Sequence, residues 1–230
     1  MPASVLSGAL TTGDLMDRAE FLRRWDALPE INKAELIEGI VIVPSPLSRE
    51  HGKRDKTIIW WLTQYAYATA GCESGNNVTW FMLDSAPQPD AFLRILPEWS
   101  GQSKNVEREA KTFPAGAPEF ASEISLTSTE IDFGRKQVLY ERSGVQEYIT
   151  VADFERSLIW RVLEQGSYTA LPPDEDGIIR SRVFPGLWLD VEAFWQDDGP
   201  KMWATLQAGL ATPAHAEFVA RLQNGRPPLV

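Results

Sequence analysis

The chain has a single cysteine, Cys72, in 230 residues. No internal disulfide and no cysteine-rich zinc site can be built on one thiol. No apolar run approaches the roughly 18 residues that a membrane-spanning helix requires. The N-terminus lacks a basic stretch followed by an apolar core, so no secretory signal is expected and the cytoplasm is the expected compartment. Positive charge is scarce as well: 22 Lys and Arg face 32 Asp and Glu, a formal net charge of −10. That balance argues against a protein basic over its whole surface. A local basic groove stays open, because Asp174, Glu175, Asp176, Asp190, Glu192, Asp197 and Asp198 crowd the last third and inflate the total. Internal repeats, low-complexity segments and a clear second domain are also missing. What is present suits a globular chain: 43% hydrophobic residues and nine tryptophans. We expect a loose arm over 1–13, one domain over 14–200 and a helical tail over 201–230.

The stretch from Pro118 to Val151 organises the rest. It reads as a strand (Phe120 to Leu126), a polar loop (Thr127 to Asp132), a helix (Phe133 to Ser143) and a second strand (Glu147 to Val151). Gly144 stands where a helix C-cap belongs. So compact a strand–helix–strand unit predicts a crossover between parallel strands. Alternation puts Glu123 mid-strand between the small residues Ala121 and Ser125 on one face, as if space were kept around its carboxylate. On the helix, roughly 100° per residue puts Lys136 on the face of Phe133, Leu139 and Tyr140. Taken singly, Lys136 can snorkel to solvent and Glu123 can be capped by backbone. An acid and a lysine converging across one crossover is the more informative pattern.

In chain order, Asp14 to Leu28 reads as an amphipathic helix stopped by Pro29. Ala34 to Gly39 and Ile40 to Val43 read as a hairpin led by Glu35. Ser48 caps a helix from about Arg49 to Ala70 whose first turns hold Arg49, Lys53, Arg54 and Lys56. Basic residues there oppose the helix dipole, so an incoming anion such as a phosphate backbone explains them better than local stability. Val78 to Leu83 and Ala91 to Leu96 read as strands, the second opened by Asp90. Residues 97–117 read as a polar loop with a short helix. Further strands are predicted at Leu158 to Leu163, Tyr168 to Leu171 and Ile178 to Val183, and helices at Val191 to Gln196, Lys201 to Gly209 and Ala214 to Leu222.

Mg²⁺ takes one or two carboxylates and fills its shell with water and substrate phosphate. Asp90 and Glu123 could supply those carboxylates if their strands are neighbours. Lys136 could then hold an attacking water or a phosphate oxygen, and Glu35 could orient a water or a second ion. Such a set suits phosphodiester hydrolysis.

The order of Ala-Glu-Leu-Ile-Glu-Gly (34–39), Ser-Pro-Leu-Ser-Arg-Glu-His (45–51), Pro-Asp (89–90), Glu-Ile-Ser-Leu-Thr-Ser (123–128), Lys-Gln-Val-Leu-Tyr (136–140) and Ser-Gly-Val-Gln-Glu-Tyr (143–148) resembles the Uma family of restriction-endonuclease-like proteins, within the PD-(D/E)XK nuclease superfamily. The resemblance covers roughly residues 15–200, and Gly177 to Asp190 also resembles a C-terminal segment of some members. It implies a restriction-endonuclease-like α/β fold: a central mixed sheet flanked by helices, with C-terminal strands and helices. It further implies catalytic roles for Glu35, Asp90, Glu123 and Lys136. A Mg²⁺ or Mn²⁺ ion would be held by Asp90, Glu123 and the backbone carbonyl of Ile124. DNA would be met by Arg49, His51, Lys53 and Lys56, and the protein would pair as a homodimer. The chain departs from the superfamily's E-x-K pattern at Ser125, and the resemblance implies that Lys136 on the following helix replaces the strand lysine.

Two other classes compete with a metal-dependent endonuclease. One is a catalytically idle nuclease fold that serves as a nucleic-acid or protein binding module. The other is a glycosidase using paired carboxylates, which gives Lys136 no role and leaves the basic helix unexplained.

Overall fold

The computed structural model describes residues 9–28, 30, 33–44, 48–125 and 134–225. The first helix, α1 (Arg18–Asp26), is shorter than the predicted Asp14 to Leu28, because the Asp17 side chain accepts from the Glu20 backbone N–H and sets the N-cap there. Strands β1 (Glu35–Ile37) and β2 (Ile40–Ile42) form an antiparallel hairpin. Its turn places both Glu38 and Gly39 at positive φ, 49° and 82°, the twist a two-residue hairpin needs. Helix α2 (Arg49–Ala68) starts at Ser48, whose side chain accepts from the His51 N–H.

The central sheet takes six strands: β3 (Cys72–Gly75), β4 (Ala91–Ile95), β7 (Phe120–Ser125), β8 (Glu147–Ala152), β9 (Ser157–Glu164) and β10 (Ser167–Ala170), in the order β10-β9-β8-β7-β4-β3. Only β7 and β8 run parallel, and α3 (Lys136–Ser143) lies between them in sequence. All other neighbours are antiparallel, which makes the sheet mixed. The Gly144 cap has φ 89°, as its position after α3 predicts.

Hydrophobic alternation along β7 separates two cores. Phe120 and Ile124 pack with Ile58, Trp61, Leu62 and Tyr65 of α2 on one face. Ala121 packs with Phe92, Leu139, Tyr140 and Tyr148 on the other, so Glu123 lies on the α3 face. The last elements are β11 (Ile178–Arg180), β12 (Trp188–Asp190), α4 (Val191–Gln196), α5 (Gly199–Leu210) and α6 (Pro213–Gly225). Met202, Leu206, Phe218 and Leu222 from α5 and α6 join the α2-side core. No helix among the described residues is long and apolar enough to cross a membrane.

Several local expectations need correction. Val78 to Leu83 is not a strand: a tight turn joins Met82 and Ser85, with Leu83 at φ 48°, and only isolated bridges form there. The stretch 97–117 is ordered rather than loop. One 3-10 turn, Pro97–Trp99, precedes the antiparallel hairpin of β5 (Lys104–Arg108) and β6 (Lys111–Ala115). Most of the hairpin's strand positions are polar, with only Val106, Phe113, Pro114 and Ala115 apolar, so hydrophobicity shows no two-residue period to read. β3 and β12 escaped notice because four and three residues are too few to display a pattern. The predicted loop Thr127 to Asp132, with Leu126 and Phe133, lies outside the described residues.

Candidate active site

Asp90 directly precedes β4, and extending the β4–β7 register (Ala91↔Ser122, Phe92↔Ala121) by one position sets it across from Glu123. Residues opposite each other in an antiparallel pair share a face, their Cβ atoms about 5 Å apart. Both carboxylates therefore lie on the α3 side of the sheet at the C-terminal end of β7. Asp90 is pinned there by accepting the Ile124 N–H at 2.8 Å. In an extended strand a residue's N–H and C=O leave by the same edge. The Ile124 carbonyl is thus directed towards Asp90, beyond the last pair of the β4–β7 ladder.

Two side chains one turn apart on α3 hold Glu123. The Lys136 ammonium lies 2.9 Å from Glu123 Oε2 and 2.9 Å from Glu35 Oε1. The Tyr140 hydroxyl donates to Glu123 Oε1 at 2.6 Å. Glu35 also accepts the Gln88 N–H at 2.5 Å, which ties the β1 hairpin to the chain just before Asp90. Glu35, Asp90, Glu123 and Lys136 are all at most 7% exposed.

Burial dominates the electrostatics. It pushes the Glu123 carboxyl up to about 8; Lys136 pulls it down, Asp90 and Glu35 push it further up, and the Tyr140 hydrogen bond pulls it down. Burial alone would lower the Lys136 ammonium, but Glu123, Glu35 and Asp90 outweigh it and raise its pKa. Three acids share one closely bound cation in a dry pocket, and the raised Glu123 value is the response: its carboxyl holds a proton more firmly than a free one until another cation enters.

Two further groups approach Asp90. Lys33 Nζ lies 3.5 Å and His51 Nε2 3.8 Å from its Oδ1. Asp55, one turn after His51, has its carboxyl raised by burial and then by the Asp90 charge, with His51 and Lys33 acting the other way.

The basic residues at the start of α2 have separate fates. Arg49 is exposed. Lys53 and Lys56 lie 3.4 and 3.7 Å from the Asp197 carboxylate at the end of α4. Arg54 is buried, pairs with Asp153 at 2.5 Å, donates to the Phe194 carbonyl and stacks over Phe194 and Trp195, so it is a strut between elements. His51 is turned inward, 7% exposed.

The family model "Uma2: Putative restriction endonuclease" matches residues 18–192. The chain belongs to this family. No curated protein matches it. Among solved structures, the "crystal structure of a putative nuclease belonging to DUF820 from Anabaena variabilis" is similar over 79% of this chain and 98% of that one, with a TM-score of 0.59 and 17% identity. At that identity the likeness concerns the fold, which is nuclease-like. The description of the family is that of a restriction endonuclease, which supports a nuclease hydrolase activity for its members.

Among the described residues, no group of three or more His, Cys, Asp or Glu already converges as a metal cage. The donors present nevertheless fit a hard divalent cation. Asp90 and Glu123 occupy opposed positions on one face of the sheet, and the Ile124 backbone carbonyl is directed to the Asp90 side, so oxygen donors from three positions border one pocket. Reading the sequence missed Tyr140, Lys33 and Gln88. Tyr140 carried a signal in its spacing of four from Lys136, and Lys33 in its spacing of two from Glu35.

Proposed function

We propose that this protein is a metal-dependent endonuclease that hydrolyses phosphodiester bonds of DNA in the cytoplasm. The observation that carries the reading is the pair of opposed carboxylates, Asp90 and Glu123, with the Lys136 ammonium 2.9 Å from Glu123. Asp90, Glu123 and the Ile124 carbonyl would hold a divalent ion, Mg²⁺ or Mn²⁺. When bound, that ion polarises the phosphate and lowers the pKa of water.

The chain's own residues do the rest. Lys136 is a fixed positive charge, held between two acids, beside the place where charge builds up on the phosphate; a preorganised cation in a dry site acts mainly on the transition state. Glu35 orients the attacking water from the other side of Lys136. Tyr140 keeps Glu123 in one rotamer by donating to its Oε1. Arg49, Lys53 and Lys56, on exposed turns of α2, are the proposed phosphate contacts. A second copy of the chain is the other proposed partner, because one such site cuts one strand and a duplex has two.

The test is cleavage of plasmid DNA at low salt with Mg²⁺ or Mn²⁺. Wild type should nick and linearise it, Asp90→Ala and Glu123→Ala should not, and Lys136→Ala should cut turnover by about 10²- to 10³-fold. Equal trace cleavage by wild type and Asp90→Ala would overturn the reading. The pairing of Lys53 and Lys56 with Asp197 favours the second reading, a nuclease-fold binding module, which would then stand.

A further inference from the structure

Two buried polar atoms beside Asp90 have no hydrogen-bond partner: His51 Nε2 and Asp55 Oδ1. They belong to side chains four residues apart, one turn along α2. His51 is 7% exposed, and its Nε2 stands 3.8 Å from Asp90 Oδ1, beyond hydrogen-bond range. A buried polar atom without a partner is costly, so such an atom at a candidate site indicates a group that belongs there. The kind of group follows from the donors. An imidazole nitrogen can offer a lone pair, as the two carboxylates do, and the partner common to such donors is a cation. Lys33 meets part of that demand at 3.5 Å from Asp90 Oδ1, but its ammonium is drawn aside by Asn77 Oδ1 at 2.7 Å. A single metal ion about 2.1 Å from each of two ligand atoms would bridge Asp90 and His51 after a side-chain movement of a few tenths of an ångström.

We propose that His51 Nε2 is a protein ligand of the divalent ion at Asp90, which makes the centre a mixed nitrogen–oxygen site that takes Mn²⁺ in preference to Mg²⁺. The proposal rests on the reading of Asp90 as a metal ligand and adds a residue and a metal preference to it. Mg²⁺ favours all-oxygen shells, whereas imidazole suits the transition ions. The inward turn of His51 also removes it from the set of surface residues that would meet a DNA backbone. The backbone under His51 is well anchored, because its N–H donates to the Ser48 side chain in the capped first turn of α2.

The chain has only two histidines, His51 and His215. His215 is committed elsewhere, to Thr69 and the Leu210 carbonyl. The identity of an imidazole ligand can therefore be settled by spectroscopy on the untagged full chain, without any cleavage assay. Mn²⁺ is titrated by electron paramagnetic resonance, and the bound ion is probed for ¹⁴N modulation by pulsed measurements. Wild type and His215→Gln should show imidazole ¹⁴N modulation, and His51→Gln should lose it. His51→Gln should also bind Mn²⁺ about 10- to 100-fold more weakly and show a narrower preference over Mg²⁺, while a thermal melt reports that it folds. Asp90-dependent Mn²⁺ binding with no ¹⁴N modulation in wild type would overturn the His51 proposal and leave the Asp90 reading intact. Modulation that survives in His51→Gln would overturn it too. No Mn²⁺ bound at millimolar concentration would overturn both. Because the wild-type spectrum decides by itself, a variant that fails to fold does not blunt the test.

Discussion

Tyr140 donates its hydroxyl to Glu123 at 2.6 Å from the same helix face that presents Lys136. One turn of α3 thus grips both oxygens of a buried carboxylate. A hydrogen bond to a charged or partly charged buried group contributes about 1.5–3 kcal/mol. Tyr140→Phe keeps the ring and its packing against Tyr148, so its cost isolates the hydroxyl. Urea unfolding should show a loss of about 2 kcal/mol. A loss within error of zero would mean that Lys136 alone orients Glu123.

If Asp90 and Glu123 hold a divalent ion as proposed, the ion binds only the folded state, where the fold brings these acids together. An ion at 100 times its dissociation constant adds about 2.7 kcal/mol of stability. For a chain of this size that corresponds to a melting shift of about 5–10 °C. Mn²⁺ or Mg²⁺ should raise the melting temperature of wild type and leave Asp90→Asn unmoved. A wild-type melt insensitive to either ion across the millimolar range would argue for the binding-module reading.

Asp197 sits against both Lys53 and Lys56 and competes with any phosphate for them. Asp197→Asn should therefore tighten DNA binding and steepen its dependence on salt. Lys53→Ala and Lys56→Ala should weaken binding equally across sequences, each reducing the salt slope by about one. Fluorescence anisotropy with a labelled duplex from about 25 to about 200 mM salt reads both effects. An unchanged slope in all three variants would remove this helix from the DNA interface.

Glu147, fully buried at the start of β8, has its carboxyl raised by burial, while the Ser181 hydroxyl and the Arg182 and Val183 N–H groups work in the opposite direction. A folded value above the unfolded 4.5 means that its stability contribution is complete below that pH and is lost as pH rises through the raised value. Urea midpoints should therefore fall less between pH 5 and pH 8 in Glu147→Gln than in wild type. Identical pH dependence in the two proteins would show that the three donors cancel the cost of burial.

The amino-acid sequence by itself determined the elements whose periodicity extends far enough to be read: α2, β7, α3, β8 and the three C-terminal helices. It also determined which face of β7 carries Glu123 and which face of α3 carries Lys136, because alternation and helical phase are local properties of the chain. Tertiary structure alone decided what those faces meet. Asp90 lies 33 positions before Glu123 in the chain and comes opposite it only through the β4–β7 register. His51, Lys53, Arg54 and Lys56 look alike as polar residues at a helix start. Their separation into a buried orphan, two paired lysines and an interior strut came from Asp90, Asp197 and Asp153, distant in sequence. Short-range pattern specifies the backbone's local shape, whereas burial and partner choice depend on which distant segments the fold packs together.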